Sequence, residues 1–234
     1  LYGLLAFMVE RWGPNVLSSM QPVVLRGIQV YLEPLEMLHT AELFAVGKET
    51  AIWRFQPQGP FVFEDDAKRF VERALSSRDL GAELPFVIRL SSNDELIGTT
   101  RYRDIQPRHR SVEIGFTFIH PSHWWRGAGS EAVFLLAGHA FENLEAGRVW
   151  VMTDTRNYWT QKALERCGVT REGVLRRHLR VSDGFIRDTV IYAAISEEWP
   201  LIKQRGQALF NRLQSRRNSR LLPISNHSLS KEYK

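Results

Sequence analysis

The stretch WWRGAGSEAVFLLAGHAF, spanning residues 124–141, carries the residue pattern best suited to chemistry. Arg126 leads into four small residues, Gly127-Ala128-Gly129-Ser130. Beyond them Val133, Leu136, Ala137, Ala140 and Leu144 recur at helical spacing. A helix N-terminus presents unpaired N–H groups and a partial positive charge, and a loop without bulky side chains lets an anion approach them. The pattern predicts an anion site, with a plain tight turn as the alternative. It is not the phosphate loop of an NTPase, because no GxxxxGK[ST] run occurs. Glu113 is a lone carboxylate in the alternating run SVEIGFTFI, with Val112, Ile114, Phe116 and Phe118 expected on one face and Glu113, Gly115 and Thr117 on the other. Asn157 stands where a helix N-cap is expected, before YWTQKALERC. His120 and His123 are split by Pro121 and lack a third ligand, so no metal site is predicted. Trp124 and Trp125 are expected to pack beneath the loop, the alternative being to line an acceptor groove.

The elements that must position these residues read as mixed α/β. VVLRGIQVYL is a strand pair around Gly27, and PLEMLHTAELFAVG is a helix that starts with proline and ends at Gly47. FEDDAKRFVERALSS is a second helix with acids at its start. PFVIRL and ELIGTTRYRDI are strands parted by SSND. RVWVMTD is a strand, and the helix after Asn157 is stopped by Gly168. A long hairpin then turns at Asp183-Gly184. EEWPLIKQRGQALFNRL forms a last helix with Pro200 early in it, and disorder is expected after Ser215. The expected division is an extension over 1–20, one domain over 21–213 and a basic, disordered tail over 214–234. Residues 1–19 read as an upstream extension or a fragment end.

Of the 234 residues, 44% are hydrophobic and 24% charged, as in an ordinary globular domain. One cysteine excludes a disulfide framework and a cysteine-based zinc site. No apolar run reaches the roughly 18–20 residues of a membrane span, and LYGLLAFMV is expected not to be a signal peptide. A cytoplasmic protein with no membrane contact is therefore expected. The net charge is +5, and it is unevenly placed. Residues 201–234 hold eight Lys/Arg against one acid, leaving 23 basic against 25 acidic residues before them. The tail is thus a candidate for weak nucleic-acid or ribosome contact, against the plainer reading of a solvated terminus.

The order strand, small-residue loop, helix, strand, helix, hairpin resembles the GNAT superfamily of acyl-CoA-dependent N-acetyltransferases. VEIGFTFIHPSHW, HAFENLEAGRVWVMTDTRN, EGVLRRHLRVSDGFIRDTVIYAAISEEWP and LRGIQVYLEPLEMLHTAEL are similar to its Rim-type branch, which includes enzymes that acetylate N-termini of ribosomal proteins. The resemblance covers about 21–213. It implies an α/β, GNAT-like fold: a twisted mixed sheet of about six or seven strands flanked by helices. The strands carrying Phe118 and Val151 are expected to splay apart near a thioester.

The resemblance also assigns roles. The superfamily loop Arg/Gln-x-x-Gly-x-Gly/Ala is matched by Arg126, Gly127, Ala128, Gly129 and Ser130, with Glu131 in place of the last small residue. The loop is one residue shorter than usual Rim-type loops, and Val133 stands where a lysine is common. These residues, with Phe118 and Ile119, would hold acetyl-CoA, the loop taking its pyrophosphate. Asn157-Tyr158-Trp159-Thr160 matches the family's Asn-x-x-Ser, so Asn157 would contact pantetheine and Thr160 would assist the leaving thiolate. Glu113 lies beside the implied acetyl group and would take the amine proton through a water, the alternative being a structural glutamate that pairs with a nearby arginine. The tyrosine that many members use as acid is replaced by Leu164, and the strand after Glu172-Gly173 offers Arg176, Arg177, His178 and Leu179 but no carboxylate. His178 is a second candidate acceptor of protons. Trp53-Arg54-Phe55 lies where the family walls its acceptor site.

The implied function is transfer of acetyl from acetyl-CoA to a primary amine by direct attack in a ternary complex, foremost to a protein N-terminus, by a monomer or homodimer. At pH 7 a free α-amine costs about 1.4 kcal/mol to deprotonate and a lysine about 4.6 kcal/mol, so a weak base suffices for the first. The alternatives are a small-molecule amine (antibiotic, polyamine or amino acid) as acceptor, and a non-catalytic acyl-CoA-binding or RNA-associated module.

Overall fold

The computed structural model describes residues 20–221. The expected extension over 1–19 and the end of the tail, 222–234, lie outside the described residues. Eight strands form one sheet, one or two more than expected: β1 (Leu25–Arg26), β2 (Val30–Pro34), β3 (Leu84–Leu90), β4 (Leu96–Gln106), β5 (Ser111–Ile119), β6 (Arg148–Asp154), β7 (Thr170–Arg180) and β8 (Ile186–Ile195). The two-residue β1 and β2 are the strand pair expected around Gly27. The order is β1-β2-β3-β4-β5-β6-β8-β7. All neighbours are antiparallel except β5 and β6, which are parallel.

Among the described residues five α-helices cover the sheet: α1 (Thr40–Gly47), α2 (Glu64–Asp79), α3 (Ala128–Glu142), α4 (Tyr158–Cys167) and α5 (Trp199–Leu221). The first turn expected to open α1 is instead a separate 3-10 turn over Met37–His39. Strand alternation sends Phe86, Ile88 and Leu90 to one face, where they meet Ala128, Ala132, Leu136 and Ala140 of α3. Val87 points to the other face and packs with Leu43 and Val46 of α1 and Ala67, Val71 and Ala74 of α2. The caps read from sequence are present: Asn157 accepts the Thr160 N–H, and Gly168 ends α4 at φ 90°.

α5 packs along α3 through Phe134, whose ring lies 5.4 Å from Trp199 and 5.2 Å from Phe210. Its backbone stays helical to Leu221, past the boundary at 214 where a disordered tail was expected.

The single-face alternation expected for β5 is wrong in its second half. Val112 and Ile114 face α3, but Phe118 faces α1 and α2, while Ile119 returns to the α3 side. The cause is a β-bulge. The β4–β5 register advances from Thr99–Phe118 to Arg101–Gly115, three residues on β5 against two on β4, and Phe116 takes φ 50°. One extra residue reverses the phase of every side chain after it.

Candidate functional site

The parallel pairing of β5 with β6 ends at Glu113–Trp150. Beyond it β5 stays paired to β4 and β6 to β8, so the two strand ends part. The expected splay is therefore present. Parallel neighbours send their C-terminal loops to the same end of the sheet, the usual place for a ligand in such a fold. The loop leading into α3 and the first turn of α4 meet there, and the Trp125 and Trp159 ring centroids are 4.4 Å apart. This brings the segments of Arg126–Ser130 and Asn157–Thr160 together.

Gly127 is the N-cap of α3 and adopts φ 90°, a conformation that favours glycine. The first intrahelical bond runs from the Glu131 N–H to the Gly127 carbonyl at 2.9 Å, so the N–H groups of Ala128, Gly129 and Ser130 precede the ladder. A Cβ on Gly127 would lie 2.6 Å from Leu213 of α5 and 3.3 Å from Nε2 of Gln29. Gln29 is 6% exposed, and its Nε2 has no hydrogen-bond partner among the described residues. A buried, unpaired donor beside free helix N–H groups fits an anionic ligand such as a pyrophosphate. Arg126 is exposed beside it.

Glu131 was read from sequence only as a replacement for a small residue. It is buried, and its carboxylate accepts the N–H of Ile28 at 2.6 Å and of Gln29 at 3.0 Å. It fastens the β1–β2 turn to α3. Burial raises its pKa, while the backbone donors oppose the rise. Helical spacing marked its neighbours as core, but nothing in the sequence named its partners.

Glu113 sits where the paired stretch ends, 3% exposed, with Arg103 Nε 3.4 Å from its carboxylate. Desolvation by burial pushes its pKa up to about 7, against the opposing pull of Arg103. Asp104 and Glu83 add to the rise, and Arg187 opposes it. Arg187 of β8, buried and unflagged by the sequence, donates to the Phe55 carbonyl at 2.6 Å and to Thr189 Oγ1 at 3.0 Å. It thereby joins the β7–β8 hairpin to the turn over Thr50–Phe55.

Other expected positions differ in role. Phe118 and Ile119 are buried in the core, and the Ile119 carbonyl accepts the Trp124 indole N–H at 2.7 Å. The side chain of Ala128 is buried too, so these three residues can meet a ligand only through the main chain. Asn157 uses both ends of its amide within the protein, its Nδ2 donating to Thr153 Oγ1 at 3.1 Å. Thr160 is half-buried in the first turn of α4. Trp124 packs as expected, but Trp125 is 64% exposed because its left-handed backbone turns it outward, onto Trp159. Of the segment Trp53-Arg54-Phe55, Trp53 is a core residue, Arg54 is exposed and Phe55 is half-buried. Trp53 is 2% exposed between Phe61 and Phe118, and its indole donates to the Gly47 carbonyl at 2.7 Å. His178 is exposed on the edge strand β7, 3.1 Å from Thr189 Oγ1.

Known proteins share this fold. The family profile described as an acetyltransferase (GNAT) domain matches residues 29–170. The Bacillus subtilis protein YoaA, named as an uncharacterized N-acetyltransferase, is 33% identical over 43% of this chain, which spans 56% of YoaA. YjcK of the same organism, named as a probable N-acetyltransferase, is 25% identical over 75% of this chain and 98% of its own length. The ribosomal-protein-serine acetyltransferase of Escherichia coli is 27% identical over 56% of this chain and 72% of its own. Among solved structures, a GCN5-related N-acetyltransferase from Brucella melitensis superposes with a TM-score of 0.75 at 27% identity, covering 86% of this chain and 90% of that one. Mycobacterium smegmatis RimJ, solved in complex with CoA-disulfide, shares the fold with a TM-score of 0.71 at 22% identity, covering 80% and 95%. With the profile matching more than half of its length, the chain belongs to the GNAT acetyltransferase family, and it is an N-acetyltransferase whose co-substrate is acetyl-CoA.

Proposed function

We propose that the acceptor is a protein N-terminal α-amine and that Glu113 is the base that frees it. The observation carrying this reading is a buried carboxylate, raised to about 7, at the point where β5 and β6 part. Such a base is about half ionised near neutral pH and lies within about one pH unit of an α-amine near 8. A lysine near 10.4 is a much poorer match. The similarity to a ribosomal-protein-serine acetyltransferase supports the same acceptor class.

In this reading the N–H groups of Ala128, Gly129 and Ser130, with Gln29 and Arg126, hold the pyrophosphate of acetyl-CoA. The bound thioester supplies the acetyl group. Glu113, directly or through one water, accepts the proton of the attacking amine. Arg103 holds the carboxylate in place at 3.4 Å. Thr160 donates a hydrogen bond to the departing sulfur, which leaves as the thiolate and takes its proton from solvent, and Asn157 fixes the turn that carries Thr160. Main-chain N–H groups left without a partner strand where β5 and β6 part receive the charge that develops on the carbonyl oxygen.

The test is CoA release from acetyl-CoA with peptides whose lysines are blocked, matched against peptides whose α-amine is blocked. Acetylation confined to the free α-amine, located by mass spectrometry, is the expected result. Transfer only to lysine or only to small amines would overturn the acceptor assignment.

A further inference from the structure

On the Glu113 side of the sheet lies a cavity of about 400 Å³, lined by Gln58, Phe70, Arg73, Arg101 and Phe116 among others. We propose that this cavity is an acceptor subsite for a carboxylate, with Arg101 as the anion-binding residue, so that the preferred acceptor is an amine that also carries a negative charge. The inference rests on the reading of Glu113 as the acceptor-side base.

Arg101 is 3% exposed. Its Nη1 donates to Glu83 Oε2 at 2.7 Å, but Nε and Nη2 have no partner among the described residues. Those two atoms share one edge of the guanidinium and form the fork that a carboxylate fits with two parallel hydrogen bonds. Buried donors of a charged group are rarely left unmade, and an unmade pair on a residue that lines a cavity marks a place for an acceptor. Burial lowers the Arg101 pKa, Arg103 adds to the fall and Glu83 opposes it.

Two aromatic rings flank the guanidinium. The Arg101 guanidinium lies 4.2 Å from the Phe116 ring centroid and 4.9 Å from that of Phe70. Aromatic faces steady a guanidinium without consuming its N–H edge. Phe116 reaches this position because of the bulge, and its ring centroid also lies 5.0 Å from the Arg103 guanidinium. Arg103 in turn contacts Glu113. Arg101 and Arg103 are two residues apart on β4, about 7 Å along a strand, so the anion and amine positions are neighbours on one face.

A second unpaired atom narrows the ligand. Gln58 Oε1 lines the same cavity, buried and without a partner among the described residues. It accepts hydrogen bonds only, so a ligand that also brings an N–H or O–H fits this lining. A carboxylate with a nearby donor describes an amino acid, or an N-terminal residue with an acidic side chain and its peptide N–H.

The experiment compares matched pairs with the full chain saturated with CoA. Calorimetry measures binding of free glutamate against glutamine, and of amidated tetrapeptides beginning with Glu against the same peptides beginning with Gln. Acetyl transfer to the same amines is followed in parallel. The carboxylate member of at least one pair is expected to bind about tenfold or more tightly, and which pair responds tells a free amino acid from a peptide. Arg101→Lys keeps the charge but loses the fork and should bring the members of the pair close to equal. Glu113→Gln should lose transfer and keep the binding preference. Equal binding within both pairs of the wild-type protein overturns the proposal, and that comparison needs no variant to fold. A preference that survives in Arg101→Lys overturns the assignment to Arg101. A carboxylate preference with no effect of Glu113→Gln on transfer would instead overturn the base assignment.

Discussion

Replacing Glu113 by Gln tests base and burial together. A carboxyl group that keeps its proton from the usual 4.5 up to about 7 in the folded state makes the native state the stronger proton binder over that interval. Stability then falls as pH rises through the window and is lowest above it. At about 1.4 kcal/mol per pH unit, the wild-type protein loses about 3 kcal/mol between pH 4.5 and 7. Glutamine keeps the shape and never ionises. Glu113→Gln should therefore match the wild type below pH 4.5 and exceed it at pH 8 by up to about 3 kcal/mol, a Tm gain of about 6–12 °C for a domain of this size. Arg103, the partner left behind, is partly exposed and can turn to water. Activity should move the other way. Loss of a general base lowers kcat/KM by about 10²–10⁴-fold, and the rise in rate near pH 7 should vanish, leaving only the titration of the acceptor amine. Thermal melts and pH–rate profiles from pH 4 to 9 give both readings. A Tm difference that does not grow with pH, together with an unchanged rate profile, would refute the argument from burial.

Three further outcomes follow from the loop into α3. Acetyl-CoA at about 100 times its Kd should stabilise the protein by about 2.7 kcal/mol in a thermal melt, with no comparable shift from ATP. Gly127→Ala should destabilise by about 2 kcal/mol or more and abolish that shift, since φ 90° disfavours a side chain and the new Cβ meets Leu213 at 2.6 Å. Urea titration and the same melt measure both effects. Glu131→Ala leaves the N–H groups of Ile28 and Gln29 without their acceptor and should cost about 2–3 kcal/mol, whereas Glu131→Gln, which keeps one acceptor, should cost less.

Local chemistry made much of this protein legible from its sequence. Small residues before a helical apolar stripe located the loop into α3, Asn157 and Gly168 bounded α4, and Asp183-Gly184 turned the last hairpin. Each of these rests on contacts a few residues long, which a linear pattern records. The phase of β5 was not legible, because its bulge depends on the register with β4 as well as on the β5 sequence. Nor was the burial of Glu113, which needs the parting of β5 from β6 and the hairpin docked by Arg187. Gln29 beside Gly127, Arg101 between Phe70 and Phe116, and Glu131 beneath the β1–β2 turn join residues from about 15 to more than 100 positions apart. A charged or polar side chain takes its character from desolvation and from the donors around it. The sequence by itself determined which residues were available for chemistry; the tertiary structure alone decided which were stripped of water and left with an unmade hydrogen bond.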